Sequence, residues 1–582
     1  MSNANYGSVG VNRGKPIPFS PSSVTQNSIL GFASSYQRAQ SYRSLSIDPR
    51  PNVSRSFFQD DEELVDPETF APSPMGRKIS TVFGSRPSID NLRGAEGVSP
   101  AAFDDAIIDD VQSFKDYHFT DFVHSRAPSM VSNLMPVANS LSRVISRDSE
   151  SVFLRQVDTH DGKTLTMLAP QSTVSQTIFN AINVLIGIGL LALSKAMTHA
   201  GWIAGIIFLF YSVAVTYWTA TLLSDCMDTD PTLYTYADLG YKAFGPKGRL
   251  FISILFTVEL CGVGVSLFVL FADSLHAIFP EISLNAFKWI GFCLLTPFSF
   301  LSLRVLSSIS LFGIISTISL VFIILFCGLI KNYSPGSLID PAYTNLYPPS
   351  ILELFMSYGI ILGPFGSHSL FPALKADLNK PKEFNKCLRI TYAIGFFADT
   401  SMAIIGFLMF GAGILNEITK SVLLTSGYPS IIYALISLFV SMIPIAKTPI
   451  NALPIINIIE FMFELTPQQL QEKQKNNIHL TSLNNASIAK PTNISNWKVK
   501  FYQAMIKIAV NLIFCICSIL YPEFDKIIGL SGASLCSLIC VVLPCAFYLK
   551  LVKPRSGRWK YWGMIFIGLV AGLISTYAAI VV

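Results

Sequence analysis

The feature that most constrains this chain is a series of apolar stretches, each about long enough to cross a bilayer, running from residue 176 to the C-terminus. A helix that spans ~30 Å of hydrocarbon needs about 20 mostly apolar residues. Eleven stretches qualify: 176–199, 202–224, 250–279, 286–303, 308–330, 350–372, 388–411, 428–448, 501–521, 527–549 and 560–581. Lipid leaves every backbone polar group to be satisfied within the chain, so stretches of this length read as helices. The expected fold class is an all-α polytopic membrane protein with 11 transmembrane helices. The apolar segment 449–463, interrupted by Pro449 and Pro454, is too short to cross again and reads as an extension of the eighth span. Composition agrees. Hydrophobic residues make up 51% of the 582 residues and charged residues only 14%, whereas soluble chains carry about 25% charged residues. This excludes a soluble enzyme and a secreted disulfide scaffold. A net charge of +5, scattered along the chain, is too small for a nucleic-acid surface.

Two domains are expected: a Ser-rich cytosolic tail over 1–170 and a transmembrane domain over 171–582. Residues 1–150 hold 26 Ser, 14 Lys+Arg and 17 Asp+Glu. No apolar run there suffices for a core, so the tail reads as mostly disordered. Its first residues, MSNANYGSVGVNRGK, lack the charged and apolar regions of a signal peptide. Arg77-Lys78-Ile79-Ser80 matches a basophilic kinase site, and phosphate on Ser80 would add up to about −2 of charge. Asp60-Asp61-Glu62-Glu63-Leu64-Val65 resembles an acidic sorting signal. A kinase or a sorting adaptor is the partner each motif implies, beside the plainer reading of a solvated tail.

Loop charge sets the orientation. With the tail in the cytosol, cytosolic loops hold nineteen Lys and Arg between Lys242 and Lys560, and the opposite side holds four: Lys288, Lys331, Lys420 and Lys526. This asymmetry puts the N-terminus in the cytosol and the C-terminus on the lumenal or extracellular side. All ten cysteines fall in spans or at their cytosolic ends, so no lumenal loop offers a disulfide. The sequons at Asn52, Asn485 and Asn493 fall on the cytosolic side, and Asn332-Tyr333-Ser334 is followed by Pro335. No metal site and no cofactor are expected.

Two spans carry residues that break helices. The first reads Asn183-Val-Leu-Ile186-Gly187-Ile188-Gly189-Leu190, and each glycine weakens a helix by about 1 kcal/mol relative to Ala. The sixth reads Gly363-Pro364-Phe365-Gly366-Ser367-His368-Ser369-Leu370-Phe371-Pro372, and each proline removes a backbone donor. The two lie five spans apart, so they run in opposite directions. Such a pair marks the binding site of a secondary transporter built from two inverted five-helix repeats, here spans 1–5 and 6–10 with span 11 added. Free N–H groups at a half-helix N-terminus hold a carboxylate, and free carbonyls hold an ammonium. A zwitterionic amino acid needs both. The expected substrate-binding residues are Asn183, Ile186, Gly187, Ile188, Gly189, Leu190, Gly363, Phe365, Gly366 and His368. The apolar lining favours neutral amino acids. No phosphate-binding Gly-Lys-Ser/Thr loop is present, so an ion gradient drives transport.

Asn183-Val-Leu-Ile-Gly-Ile-Gly-Leu-Leu-Ala-Leu, Ala200-Gly201-Trp202, Leu270-Phe-Ala-Asp273-Ser274-Leu, Gly366-Ser-His368-Ser-Leu-Phe-Pro372-Ala-Leu and Ala446-Lys447-Thr448-Pro449 resemble the amino acid/auxin permease family. The resemblance covers roughly 172–582 and is closest to the fungal vacuolar amino-acid transporters. It implies a LeuT-like inverted-repeat fold and proton-coupled antiport of neutral amino acids from the cytosol into an acidic vacuole. Ser194 departs from the family, which often has proline there. Two other readings remain: a sodium-coupled plasma-membrane importer, and a transport-inactive sensor or scaffold.

Ionisable residues within the membrane are functional candidates by default. Glu259, about ten residues into span 3, reads as a proton carrier or as a hydrogen-bonding anchor. His368, just after the second break, reads as a second proton-coupling group or as a donor to unwound carbonyls. Asp273 and His276 read as interfacial. Asp399 and Lys507 have no assigned facing. Lys447 reads as snorkelling to the cytosolic interface or, on the fold that the resemblance implies, as an amine standing where a sodium ion would bind. Lys195 reads as lining the lumenal path.

Overall fold

The structure is a computed structural model that describes residues 32, 34–39, 154–158, 164–168, 170–230, 233–301, 303–463, 465 and 496–582. The motifs around Asp60 and Ser80 and the sequons at Asn52, Asn485 and Asn493 lie outside the described residues. The chain divides into two units, Met1–Ile17 with Asn52–Ala169, and Pro18–Pro51 with Pro170–Val582. In the first, Leu154–Asp158 (β1) pairs antiparallel with Thr164–Leu168 (β2), Leu154 opposite Leu168. The sequence reading placed this hairpin within a structureless tail.

The second unit is helical. Its chain order is α1 (Val174–Leu185), a 3-10 segment (Ile188–Ala192), α2 (Leu193–Met227), α3 (Tyr236–His276), α4 (Leu284–Leu295), α5 (Leu303–Ile330), α6 (Ile351–Leu362), a 3-10 segment (Gly363–Phe365), α7 (Phe371–Asp377), α8 (Phe384–Phe410), α9 (Ile418–Leu424), α10 (Ser430–Met462), α11 (Asn496–Leu520), α12 (Phe524–Leu530), a π-helical stretch (Ser531–Val542), α13 (Leu543–Leu551) and α14 (Arg558–Val581). Local sequence fixes the starts of several. Thr173 with Gln176 and Thr235 with Asp238 form capping boxes, and the Ser283 and Ser350 side chains cap α4 and α6. Each box satisfies donors that would otherwise be orphaned at a helix start.

Among the described residues, eight helical segments are long and apolar enough to cross a membrane. The expected spans 1, 4 and 6 coincide with helices that are broken or short: α1, α4 and α6 have 12 residues each. Apolar stretch 449–463 continues α10 through Pro444, Pro449 and Pro454, as expected for an extension. The spans expose large hydrophobic side chains such as Ile207, Phe322, Phe397, Phe566 and Leu573. On a lipid-facing surface such side chains carry no penalty.

Gly201 explains the Ala200-Gly201-Trp202 motif. Its φ of +69° turns the chain sharply between the first and second expected spans. A Cβ there would stand 2.7 Å from the Tyr347 carbonyl carbon. The 345–347 loop seals the turn: the Trp202 and Ile203 amides each donate to its carbonyls at 3.2 Å. Only glycine suits both the backbone angle and the close approach.

A short helical segment of the tail, 34–39, packs against the transmembrane helices of this unit. Arg38 Nε donates to both Asp377 carboxyl oxygens at 3.1 and 3.0 Å, and Arg38 Nη2 donates to Ser172 Oγ at 3.1 Å. Ser35 Oγ lies 2.6 Å from Ser172 Oγ and accepts from Asn180 Nδ2 at 2.7 Å. Tyr36 is buried with Leu306 of α5 and Ile450 of α10, and Phe32 meets Phe179 of α1 edge-on. The segment therefore touches α1, α5, α7 and α10. Ser172 and Asp377 also form a backbone bridge, in which Ser172 N donates to Asp377 O at 2.8 Å and Asn379 N to Ser172 O at 2.9 Å. Arg38→Ala removes the charged donor facing a buried carboxylate, a loss of about 2 kcal/mol. The expected outcome is a lower melting temperature for the full-length protein in detergent, and no such change when the same substitution is paired with Asp377→Ala.

Candidate functional site

The first break lies between α1 and the 3-10 segment. α1 ends at Ile186, whose φ, ψ of −80°, 75° leave the helical region, and Gly187 is extended. The second break follows α6, whose 3-10 continuation starts at Gly363 and Pro364, and the chain resumes as α7 at Phe371. The two breaks meet. A Cβ on Gly189 would stand 2.9 Å from Pro364 Cγ. Thus Gly189 and Pro364, read from sequence as helix breakers, also form the contact between the two interrupted spans. Ile186, Ile188, Leu190, Leu191 and Phe365 are all buried around it. Gly366 abuts Cys536 of the π-helical stretch.

Lys447 of α10 reaches this place. Its ammonium donates to the Asn183 carbonyl oxygen at 3.3 Å, in the last turn of α1. The snorkelling reading is therefore corrected: the amine turns to the unwound end of the first span, where carbonyls lack helical partners. Asn183 itself donates from Nδ2 to Ser310 Oγ of α5 at 3.1 Å, so its side chain faces α5. Ser194, standing where the family often has proline, donates to the Met402 carbonyl of α8 at 2.7 Å and ties the restart of the first span to α8.

His368 is fully buried and faces α2, not the first break. Its Nε2 lies 3.0 Å from Thr219 Oγ1, and the Thr219 hydroxyl lies 2.9 Å from the Val215 carbonyl. With that hydroxyl donating to Val215, Nε2 carries the proton and Nδ1 is the basic nitrogen. Nδ1 has no hydrogen-bond partner among the described residues. Phe371 packs on the ring at 5.4 Å. Glu259 is buried on α3 and acts electrostatically on Tyr236 and on Cys540 of the π-helical stretch. Tyr236 donates to the Ile539 carbonyl at 2.6 Å. Glu259 and His368 thus approach the π-helical stretch, which the sequence reading treated as an ordinary span.

Asp273, Lys420 and Glu417 form a charged cluster. Asp273, expected at the interface, is instead buried, and Lys420 donates to it at 3.0 Å. Glu417, in the connection between α8 and α9, is fully buried beside them. Burial, and then the Asp273 carboxylate, raise its pKa well above the ordinary glutamate value, with Lys420 opposing. Sequence reasoning missed Glu417 because it lies between the expected spans 388–411 and 428–448, outside the segments searched for intramembrane charge. Lys195 turns to the Ile414 carbonyl at 3.4 Å. His276 contacts the Ile282 carbonyl at 2.8 Å. Among the described residues no group of three His, Cys, Asp or Glu side chains is arranged to hold a metal ion.

Residues 170–581 match the family described as transmembrane amino acid transporter protein. Relatives include the amino acid transporter AVT1E of Arabidopsis thaliana, 26% identical over 560 residues, covering 91% of this chain and 97% of that protein. Amino acid transporter AVT1I of the same plant is 27% identical, covering 70% of this chain and 95% of its own. Among solved structures, a nucleobase-cation-symport-1 family transporter, Mhp1, in a closed conformation with bromovinylhydantoin bound, aligns with a TM-score of 0.40 at 12% identity. That alignment covers 70% of this chain and 92% of Mhp1.

Two outcomes test the geometry. Gly189→Val inserts atoms against Pro364, an overpacking cost of about 1–3 kcal/mol; the purified variant is expected to melt earlier than Gly413→Ala, where a Cβ meets nothing within 4 Å. Glu417 gives a pH dependence. Its native pKa lies above the unfolded one, so the native state retains a proton that the unfolded chain loses as pH rises through the ordinary glutamate value. Stability then falls with pH until the native value is passed. Glu417→Gln is expected to raise the melting temperature at neutral pH and to lose this advantage in acid.

Proposed function

The chain belongs to the transmembrane amino acid transporter family and moves amino acids across a membrane, and on that premise we propose that it is a proton-coupled antiporter of neutral amino acids. It carries them from the cytosol into the acidic lumen of a vacuole-like compartment. Its eleven crossings comprise two inverted five-helix repeats and one added helix, with the N-terminus cytosolic and the C-terminus lumenal. The substrate lies where the two interrupted spans meet, its carboxylate on free amides and its ammonium on free carbonyls.

One observation carries the choice of proton over sodium. The Lys447 ammonium rests on the Asn183 carbonyl at the unwound end of α1. A fixed positive charge there occupies carbonyl oxygen that a metal cation would otherwise use, and repels such a cation. Glu259 and His368, both buried, are the proton-coupling residues that the sequence singled out. The apolar lining by Ile186, Ile188, Leu190 and Phe365 supports neutral side chains in the substrate. Vacuolar placement and the tail's kinase or adaptor partners rest on the sequence alone.

Reconstitution in liposomes tests the reading. Labelled neutral amino acid is expected to accumulate under an imposed pH gradient and not under a sodium gradient. Accumulation that follows sodium alone would refute proton coupling, and binding without movement under either gradient would favour a sensor. Glu259→Gln is expected to abolish pH-driven accumulation while leaving amino-acid exchange measurable.

A further inference from the structure

α8 carries a carboxyl group that none of these roles uses. Asp399 sits near the middle of this 27-residue helix and is fully buried. Neither of its carboxyl oxygens makes a hydrogen bond with a described residue. Gly395, Asp399, Met402 and Gly406, at spacings of four, three and four, form one buried face of the helix. That face runs along the first break. A Cβ on Gly395 would stand 2.2 Å from Leu185, the last residue of α1, and one on Gly406 would stand 2.2 Å from Ser194, at the start of α2. Between these two contacts Asp399 lies opposite the 3-10 segment Ile188–Ala192, against which α8 packs. Seven residues earlier, about 10 Å along the helix, the Tyr392 hydroxyl lies 3.5 Å from the Phe365 carbonyl in the second break.

Among the described side chains, ionisable groups on the elements beside this stretch have partners elsewhere. α1 and the 3-10 segment after it carry none. On α2, Lys195 reaches to Ile414 beyond the end of α8, His199 pairs with Glu353 at 3.0 Å, and Tyr217 packs on Tyr392. On α5, Cys327 adjoins Gly328, which packs at Met409 near the far end of α8. An ionised carboxylate buried without a counter-charge costs several kcal/mol. A proton removes that cost without a shell of ligands, whereas a metal ion needs several more oxygens around it.

Given the proton coupling proposed above, we propose that Asp399 is a further proton-binding residue in addition to Glu259 and His368, placed opposite the first break. Protonated, it packs against the closed 3-10 segment. When that segment moves and admits water, the carboxyl ionises and releases its proton to the open side. The proton on Asp399 and the movement of the first span are thereby linked.

The test compares wild type, Asp399→Asn and Asp399→Glu as full-length protein in liposomes. In Asp399→Asn, accumulation of labelled amino acid under a pH gradient is expected to fall about tenfold or more. Exchange of labelled for unlabelled amino acid without a gradient stays close to wild type, and its dependence on pH flattens. Asp399→Glu restores part of the accumulation with a shifted pH midpoint. Wild-type accumulation in Asp399→Asn overturns the assignment. So does a wild type whose accumulation follows sodium and whose sodium dependence is lost in Asp399→Asn, because the carboxyl then holds a metal ion. Failure of proton coupling itself is read separately, from the wild type alone. Where Asp399→Asn does not assemble, Asp399→Glu carries the test, and an unshifted pH midpoint overturns the assignment.

Discussion

An amide in hydrocarbon has no water to bond with, so a transmembrane helix that unwinds must find other partners for the freed backbone groups. That constraint organises the core of this structure. The first span unwinds at Ile186–Gly187 and the sixth at Gly363–Gly366, and each is closed by its neighbours. Lys447 satisfies the Asn183 carbonyl, and the Tyr392 hydroxyl approaches the Phe365 carbonyl. Pro364 fills the space beside Gly189. The breaks persist because α8, α10 and the two broken spans support one another.

The same economy governs buried charge. Lys288, expected on the opposite side of the membrane, is buried and donates to the Ser518 carbonyl at 2.6 Å. Lys331 donates to the Pro335 and Ser426 carbonyls at 2.7 and 2.8 Å and lies over the Tyr333 and Tyr428 rings. Lys375 donates to Ser224 and pairs with Asp228. Asp273 and Asp377 each have a cationic partner. Against this background the carboxyl of Asp399, without a hydrogen bond among the described residues, stands out, and the tail's Arg38 becomes part of the core's ion pairing.

Much of this was legible in the chain. Apolar length marked the long helices, and the glycine and proline clusters marked both breaks. The matched placement of Gly187–Gly189 and Gly363–Pro364 was readable because helix-breaking residues act locally. Other features were not. Facing cannot be read for single charges on helices that are apolar all round, so Asp273 was read as interfacial and Lys447 kept two readings, the cytosolic rim and an amine beside the first span. The 34–39 segment has no apolar run long enough to announce a core, yet Tyr36 and Arg38 find partners more than a hundred residues away. Ser531–Val542 reads as a plain span, and its π-helical winding depends on the packing around it.

By itself, then, the sequence determined a chain of membrane helices, the two that must unwind, and a polar tail before them, because hydrophobic length and backbone-breaking residues operate over a few neighbours. Only the tertiary structure decided that the breaks touch through Gly189 and Pro364, that Lys447 turns inward to Asn183, that His368 turns to Thr219, and that Asp399 lies opposite the first break with no hydrogen-bond partner among the described residues. Those outcomes depend on which faces of distant helices meet, and that is settled by packing and by the cost of burying polar groups without partners.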